Sequence, residues 1–388
     1  MAHRLVGLAI AAFLFVAGIT GSILAFQHEI DATLNPGLFY RQGSGADLTP
    51  TALIERVENA NPGVKVTTIF FPMTSDASAR LGVSAKADNG STPRTLPYNQ
   101  MFVDPTNGKL LGTRNFGECC LERENLIPFL WELHFSLALP APWGQWLMGG
   151  VAVLWFLDSF VGFALTLPSR KPVKGKGGFL ARWRTSWAFK GGPRAYRFVL
   201  DLHRAGGLWL WGLFLLLAAT SIALNLASEV ARPLVSAFSP TTPTIFETQT
   251  TRPASDRIVI SWDQAVEIGR AEARTRSWTS PLRSMFHSQG SGIFGVRFHN
   301  VQAPDGGAKW LYIDDSNGVV LDVRGPGQGS VGDRVLDIQL PLHGGSIIGL
   351  PGRVVIAAAG LGVAMLSATG IIIWLKKRAP RIARRRNK

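Results

Sequence analysis

Four stretches of this 388-residue chain, Leu5 to Phe26, roughly Trp146 to Leu167, Leu208 to Leu226 and Val354 to Leu375, are strongly apolar. Each is close to the ~20 residues needed to cross a bilayer core. In hydrocarbon every backbone N–H and C=O must be satisfied inside the segment, so a helix is the state open to a single apolar run of this length. The expectation is an α-helical membrane protein with a four-helix transmembrane bundle. A cleaved signal peptide, with His3 and Arg4 as its basic start, is the rival account of the first run. That run outlasts the usual ~7 to 15 apolar residues, and no convincing small-residue cleavage site follows it.

Charge sets the expected orientation. The net charge is +14, and it is unevenly spread. Ser169 to His203 holds nine Lys or Arg against one acid, Asp201, and the tail from Lys376 holds eight with no acid. With Arg4 these are 18 of the 40 basic residues, leaving 22 basic and 25 acidic residues elsewhere. By the positive-inside rule both termini and the central loop belong in the cytoplasm. The basic excess is then a topology signal, and no nucleic-acid partner is implied.

The expected order is a first helix over 1–27, an outer segment over 28–142, a second helix over 143–168, a basic loop over 169–202, a third helix over 203–226, a second outer segment over 227–345, a fourth helix over 346–375 and a basic tail over 376–388. The outer segments have small-domain length and strand-like alternation, so each is expected to be a small α+β unit. They also resemble one another. A helix start capped by Thr49 is matched by one capped by Ser261, and Phe102 to Gly108 is echoed by Tyr312 to Gly318, each an Asp-led turn closed by Gly. The helices repeat as well. His3-Arg4, Gly7 and Thr20 recur as His203-Arg204, Gly207 and Thr220 at an offset of 200, and His134 recurs as His343 at an offset of 209. The chain reads as a tandem internal repeat of helix, outer domain, helix.

The repeat sorts four histidines into two pairs. His3 and His203 fall at the cytoplasmic helix ends, His134 and His343 on the outer side, with one member of each pair from each half. A pseudo-twofold bundle would bring partners face to face, and one neutral imidazole nitrogen from each completes the axial coordination of a haem iron. Gly7 and Gly207, four residues after their histidines, share a helix face with them and leave room for a flat macrocycle. Close helix packing would also account for them. Arg4 and Arg204 could pair with haem propionates, or follow from the positive-inside rule alone.

Here the residues resemble a known family. The strings His203-Arg204-Ala205-Gly206-Gly207-Leu208-Trp209 and Leu342-His343-Gly344-Gly345, followed by Gly349 and Thr369-Gly370 before Trp374, resemble the PepSY-associated transmembrane family. The Asp-turn-Gly strings at Asp104 and Asp314 resemble the ends of its PepSY domains. The outer units are then two periplasmic PepSY-like domains, and the four-helix, two-domain form is similar to bacterial ferric-siderophore reductases of the ferrioxamine reductase kind. That resemblance implies an oxidoreductase holding two b-type haems. Electrons would pass from a cytoplasmic or quinol donor, by way of the inner and then the outer haem, to a ferric siderophore whose iron is released on reduction. No catalytic acid or base is required, and no nucleotide-binding fingerprint is present. His134 is followed by Phe135-Ser136 where the second half has Gly344-Gly345, so the outer site need not be symmetric.

Other residues attract a functional label. Asp158, an ionisable group inside the second helix, is expected to orient a ligand histidine, relay a proton or simply pack. His28 is an alternative outer ligand, while His287 and His299 are expected at the surface or at a substrate site. Trp131, Trp143 and Trp146 fit an aromatic belt at the lipid interface. Adjacent Cys119 and Cys120 could close a strained vicinal disulfide with a redox role, or stand as two free or intermolecularly linked thiols. Two rival functions remain open from sequence: a haem-free, membrane-anchored PepSY regulatory or protease-binding module, and a quinol-linked cytochrome serving another periplasmic acceptor.

Overall fold

The structure is a computed structural model that describes residues 1–86, 95–119, 122–171, 177–190, 195–248, 259–300 and 307–386. The elements that position the site are, in order, α1 (Ala2–Leu24), α2 (Gln27–Leu34), α3 (Pro50–Ala60), β1 (Val64–Phe70), β2 (Ala79–Ala85), β3 (Gln100–Val103), β4 (Leu110–Arg114), α4 (Leu126–Ser136) and α5 (Trp143–Thr166). There follow α6 (Ala195–Trp209), α7 (Trp211–Asn225), α8 (Trp262–Thr275), β5 (Leu282–Ser288), β6 (Ile293–Phe298), β7 (Lys309–Asp314), β8 (Val320–Arg324), α9 (Gln339–His343) and α10 (Leu350–Arg386).

Among the described residues, α1, α5 and the Leu350–Arg378 part of α10 are each long and apolar enough to cross a membrane. The third apolar run departs from expectation. It was expected as one helix over 203–226, but α6 and α7 meet at Leu210 with a bend of 69°. The polar half explains the departure: α6 carries Arg197, Asp201 and Arg204, with Asp201 buried and paired to both arginines. Charged groups of this kind favour an interfacial course over a transmembrane one. The fourth helix also starts late, because Ser346–Ile348 form a short 3-10 turn. Helix α1 packs on α10, α5 and α4; α5 packs on α7, α6 on α10, and α9 on α7.

The outer segments, expected as separate small units, share one eight-stranded antiparallel sheet of order β4-β3-β2-β1-β5-β6-β7-β8. The seam is β1 against β5, with Thr68 opposite Phe286, Ile69 opposite Met285 and Phe70 opposite Ser284. Left alone, each four-stranded half would expose an edge of unpaired N–H and C=O groups, and the seam satisfies both. Strand alternation then separates the two faces. Val66, Ile69, Leu81, Met101, Met285, Val296, Leu311 and Ile313 form a single buried core with residues of α3 and α8. Those two helices cap one another, since the Thr51 amide donates to Asp263 and the Asp263 amide donates to the Thr51 hydroxyl. The opposite face carries Phe70, Arg80, Phe102 and Arg114 in β1–β4 and meets α2 and α4.

The two Asp-led turns occupy corresponding places, between β3 and β4 and between β7 and β8. Gly108 and Gly318 close them at φ 72° and 75°, a region where a side chain is strained. Asp104 accepts from the amide and hydroxyl of Thr106 and from the amides of Gln42 and Gly43. Burial alone would raise its pKa, but these bonds outweigh it and hold the carboxyl at about 2. A depressed acid stabilises the fold above its unfolded pKa of about 3.9 and ceases to do so as pH falls through its folded value. Asp104→Ala is therefore expected to lose roughly 1 to 3 kcal/mol at pH 7 and much less near pH 2, read from denaturant unfolding at both pH values.

Candidate functional site

Two pairs of histidines face each other at opposite ends of the helices. At the end carrying the N-terminus, His3 of α1 lies beside His203 of α6, ring centres 6.2 Å apart and planes inclined by 51°. At the sheet end, His134 of α4 lies beside His343 of α9, at 6.1 Å and 52°. The two levels are marked on α1 by His3 and by Thr20, which touches His134. Seventeen residues separate those positions, so the levels lie about 26 Å apart along the helix at ~1.5 Å per residue.

Each ring spends its Nδ1 on the protein. His3 Nδ1 is 2.9 Å from the Asp158 carboxylate on α5. His203 Nδ1 is 3.1 Å from the Leu366 carbonyl and 3.0 Å from the Thr369 hydroxyl, both on α10. His134 Nδ1 is 3.1 Å from the Ala17 carbonyl and 3.0 Å from the Thr20 hydroxyl. His343 Nδ1 is 3.0 Å from the Thr220 hydroxyl on α7. These partners fix the tautomer. A carboxylate or carbonyl can only accept, so His3, His134 and His203 carry a proton on Nδ1. Thr220 commits its own hydroxyl proton to the Leu216 carbonyl, leaving a lone pair that accepts from His343 Nδ1–H. In the neutral form of each ring Nε2 is then the unprotonated nitrogen, and it makes no hydrogen bond among the described residues.

Glycines back three of the rings. A Cβ at Gly21 would lie 2.8 Å from His134 Cε1, one at Gly370 3.3 Å from His203 Cε1, and one at Gly162 3.4 Å from His3 Cε1. Larger residues there would displace the imidazoles. Gly7 and Gly207 differ: a Cβ would meet nothing nearer than Asp158 Oδ2 at 3.9 Å and Leu366 Cδ1 at 3.7 Å. They leave space beside the rings and do not serve a close helix crossing. Gly18 and Gly360 do that, each sitting against the other's carbonyl oxygen.

The remaining sequence candidates fall elsewhere. Arg204 donates to Asp201 at 2.8 Å and to the Thr185 carbonyl at 3.1 Å, so part of its guanidinium is already engaged, while Arg4 is exposed. His28 does not join the His134–His343 pair; it lies in a cavity under the sheet. His287, expected near the surface or a substrate site, is enclosed: it stacks on Phe294 at 4.2 Å and pairs with Asp315 at 2.9 Å. Its strand alternation puts it on the helix-covered face, opposite Phe294. His299 is likewise buried. Cys119 is in a disulfide, and Cys120 lies outside the described residues. No cluster of three or more His, Cys, Asp or Glu able to hold a metal ion is present among the described residues.

Sequence reasoning singled out the histidines and Asp158 but gave no role to Thr20, Thr220 or Thr369. The signal was present for the first two, which recur at the same offset as His3 and His203. A comparison with curated proteins gives no match. The profile of the PepSY-associated TM region matches residues 1–377. Agreement over nearly the whole length leaves no room for an accidental local likeness, and the chain belongs to the PepSY-associated transmembrane family.

Proposed function

We propose that this chain is an inner-membrane, di-haem b-type electron-transfer protein that reduces ferric siderophores in the periplasm. The observation that carries the proposal is the state of the four histidines: each has Nδ1–H tied to an acceptor, and the bare Nε2 nitrogens are left for a metal, in two facing pairs. Ligating histidines characteristically donate their other N–H to a carboxylate, carbonyl or hydroxyl, which fixes ring orientation and raises ligand basicity. The spacing also fits. Two imidazoles that shared one metal, each with its nitrogen about 2 Å from it and its ring centre about 1 Å further, would have ring centres about 6 Å apart. The separations of 6.2 and 6.1 Å match that requirement.

His3 and His203 would hold one haem and His134 and His343 the other, with Gly7 and Gly207 giving room beside the first. Each haem, held by two histidines, would supply a one-electron iron couple with no open coordination position. The chain's own residues keep the rings fixed and set one site near each face of the membrane. Both termini and the basic loop are assigned to the cytoplasm, and the sheet to the periplasm, where the ferric chelate is met. The four apolar elements are read as a pseudo-twofold four-helix bundle, with the bent α6–α7 pair as its third member.

The test is an optical spectrum of the detergent-purified protein, oxidised and then reduced with dithionite, with haem quantified per chain. The expected result is a low-spin b-type spectrum near two haems per chain, reoxidised anaerobically by a ferric siderophore. A colourless protein would favour a haem-free PepSY binding module. A haem protein that ignores the chelate would instead favour a quinol-linked cytochrome with another acceptor.

A further inference from the structure

We infer that the sheet face turned toward the helices carries a carboxylate-binding site centred on Arg80. A cavity of about 40 Å³ lies there, with His28 and Asp31 of α2, Arg80 of β2, Arg114 of β4 and Trp131 of α4 among its walls. That space admits a carboxylate-sized group, given that one water occupies about 30 Å³ of liquid.

The charges around it do not balance. Arg114 is neutralised: it donates to Asp31 at 2.7 Å, to Gln100 at 2.9 Å and to the Glu124 carbonyl at 3.3 Å. Arg353 is neutralised by the Glu29 carboxylate at 2.7 and 2.8 Å. Arg80 has no such partner. Its Nε is buried and unbonded, its guanidinium lies 4.0 Å over the Phe70 ring, and it makes no ion pair among the described residues. Arg283 stands nearby and adds to the positive field. Burial, with Arg114 next in weight, pulls the Arg80 pKa down to about 10; the Asp31 carboxylate opposes the fall and Arg283 adds to it. Burial, followed by Arg80 and Arg283, lowers His28 to about 4, so His28 is neutral at physiological pH and offers a hydrogen bond without competing for the anion. A planar guanidinium with unused donors, stacked on an aromatic ring and short of a counter-ion, suits a carboxylate bound through two parallel hydrogen bonds.

Two sources could supply that carboxylate. Trp131 precedes His134 by three residues, about 5 Å along α4, so a propionate of a haem held at His134 is within reach of the cavity. The other source is a carboxylate arm of a soluble ferric chelate. The carboxylate site stands on the cavity alone; its service to electron transfer rests on the function proposed above.

The experiment uses the full-length protein in detergent, titrated calorimetrically with citrate, alongside haem content and midpoint potentials, for wild type and Arg80→Gln. Saturable citrate binding that weakens tenfold or more in the variant, with haem unchanged, supports the site and identifies a soluble ligand. Loss of one haem, or a shifted potential for one haem, with no citrate effect supports the site and identifies a propionate. Citrate affinity, haem content and potentials all unchanged would overturn it. If Arg80→Gln does not fold, Arg80→Lys keeps the charge and loses the fork, and the same three readouts decide. A colourless wild type would sink the haem reading while leaving the citrate arm informative.

Discussion

If the chain is the di-haem reductase proposed above, replacing His343 with alanine is expected to halve the haem content, from about two per chain to about one, and to abolish reoxidation of the reduced protein by ferric siderophore. His134 would keep its contacts to Ala17 and Thr20 but lose the facing ring 6.1 Å away. A single axial imidazole holds haem less firmly and leaves a coordination position open, so any haem retained there is expected to turn high-spin. The pair at His3 and His203, about 26 Å distant along α1, shares no side chain with this site and should keep its spectrum. The measurement is a pyridine haemochrome assay with reduced-minus-oxidised spectra of wild type, His343→Ala and His203→Ala. Equal haem in all three would remove the bis-histidine assignment.

The second large effect concerns stability. Arg114 and Asp31 form an ion pair at 2.7 Å with side chains only 2% and 7% exposed. Asn35 donates to the same aspartate at 2.8 Å, and Arg114 lies over the Phe102 ring at 5.0 Å. Together they tie α2, which follows the first span directly, to β4 at one end of the sheet. Removing one partner leaves the other charge buried without compensation, which typically costs about 3 to 5 kcal/mol. Asp31→Ala is expected to show a loss of that size in denaturant unfolding. Replacing both residues with apolar side chains of similar volume should cost less than the single change. If the single variant unfolds like the wild type, the pair contributes little and α2 is held by packing alone.

Much of this architecture is legible in the primary structure because the deciding quantities are local. Run length and apolarity mark the helices that can leave water. The cap residues Thr49 and Ser261 start α3 and α8 where expected, since a side-chain oxygen needs only the next turn's amide to do so. The equal spacing of His3 with Thr20 and of His203 with Thr220 matches histidines across the halves before any contact is known.

What stayed hidden depends on partners far apart in the chain. The bend at Leu210 is an exception, since the Asp201 pairs with Arg197 and Arg204 are local, but the apolar run beyond it gives no warning. Strand alternation sets Arg80 on the face away from Leu81 and its core without saying what covers that face. Packing of α2 and α4 beneath the sheet leaves that guanidinium half-buried, with its Nε buried and unbonded and no ion pair among the described residues. By itself the sequence determined the apolar runs, the basic clusters, the internal repeat and the identity of the paired histidines, all set by transfer from water and by spacing along one chain. Only the tertiary structure decided that both halves close into one sheet through β1 and β5, that Asp158, Thr20, Thr220 and Thr369 fix the imidazoles, and that Arg80 makes no ion pair among the described residues. Each of those outcomes joins groups more than a hundred residues apart or depends on the absence of such a partner, and distance in space is settled by packing.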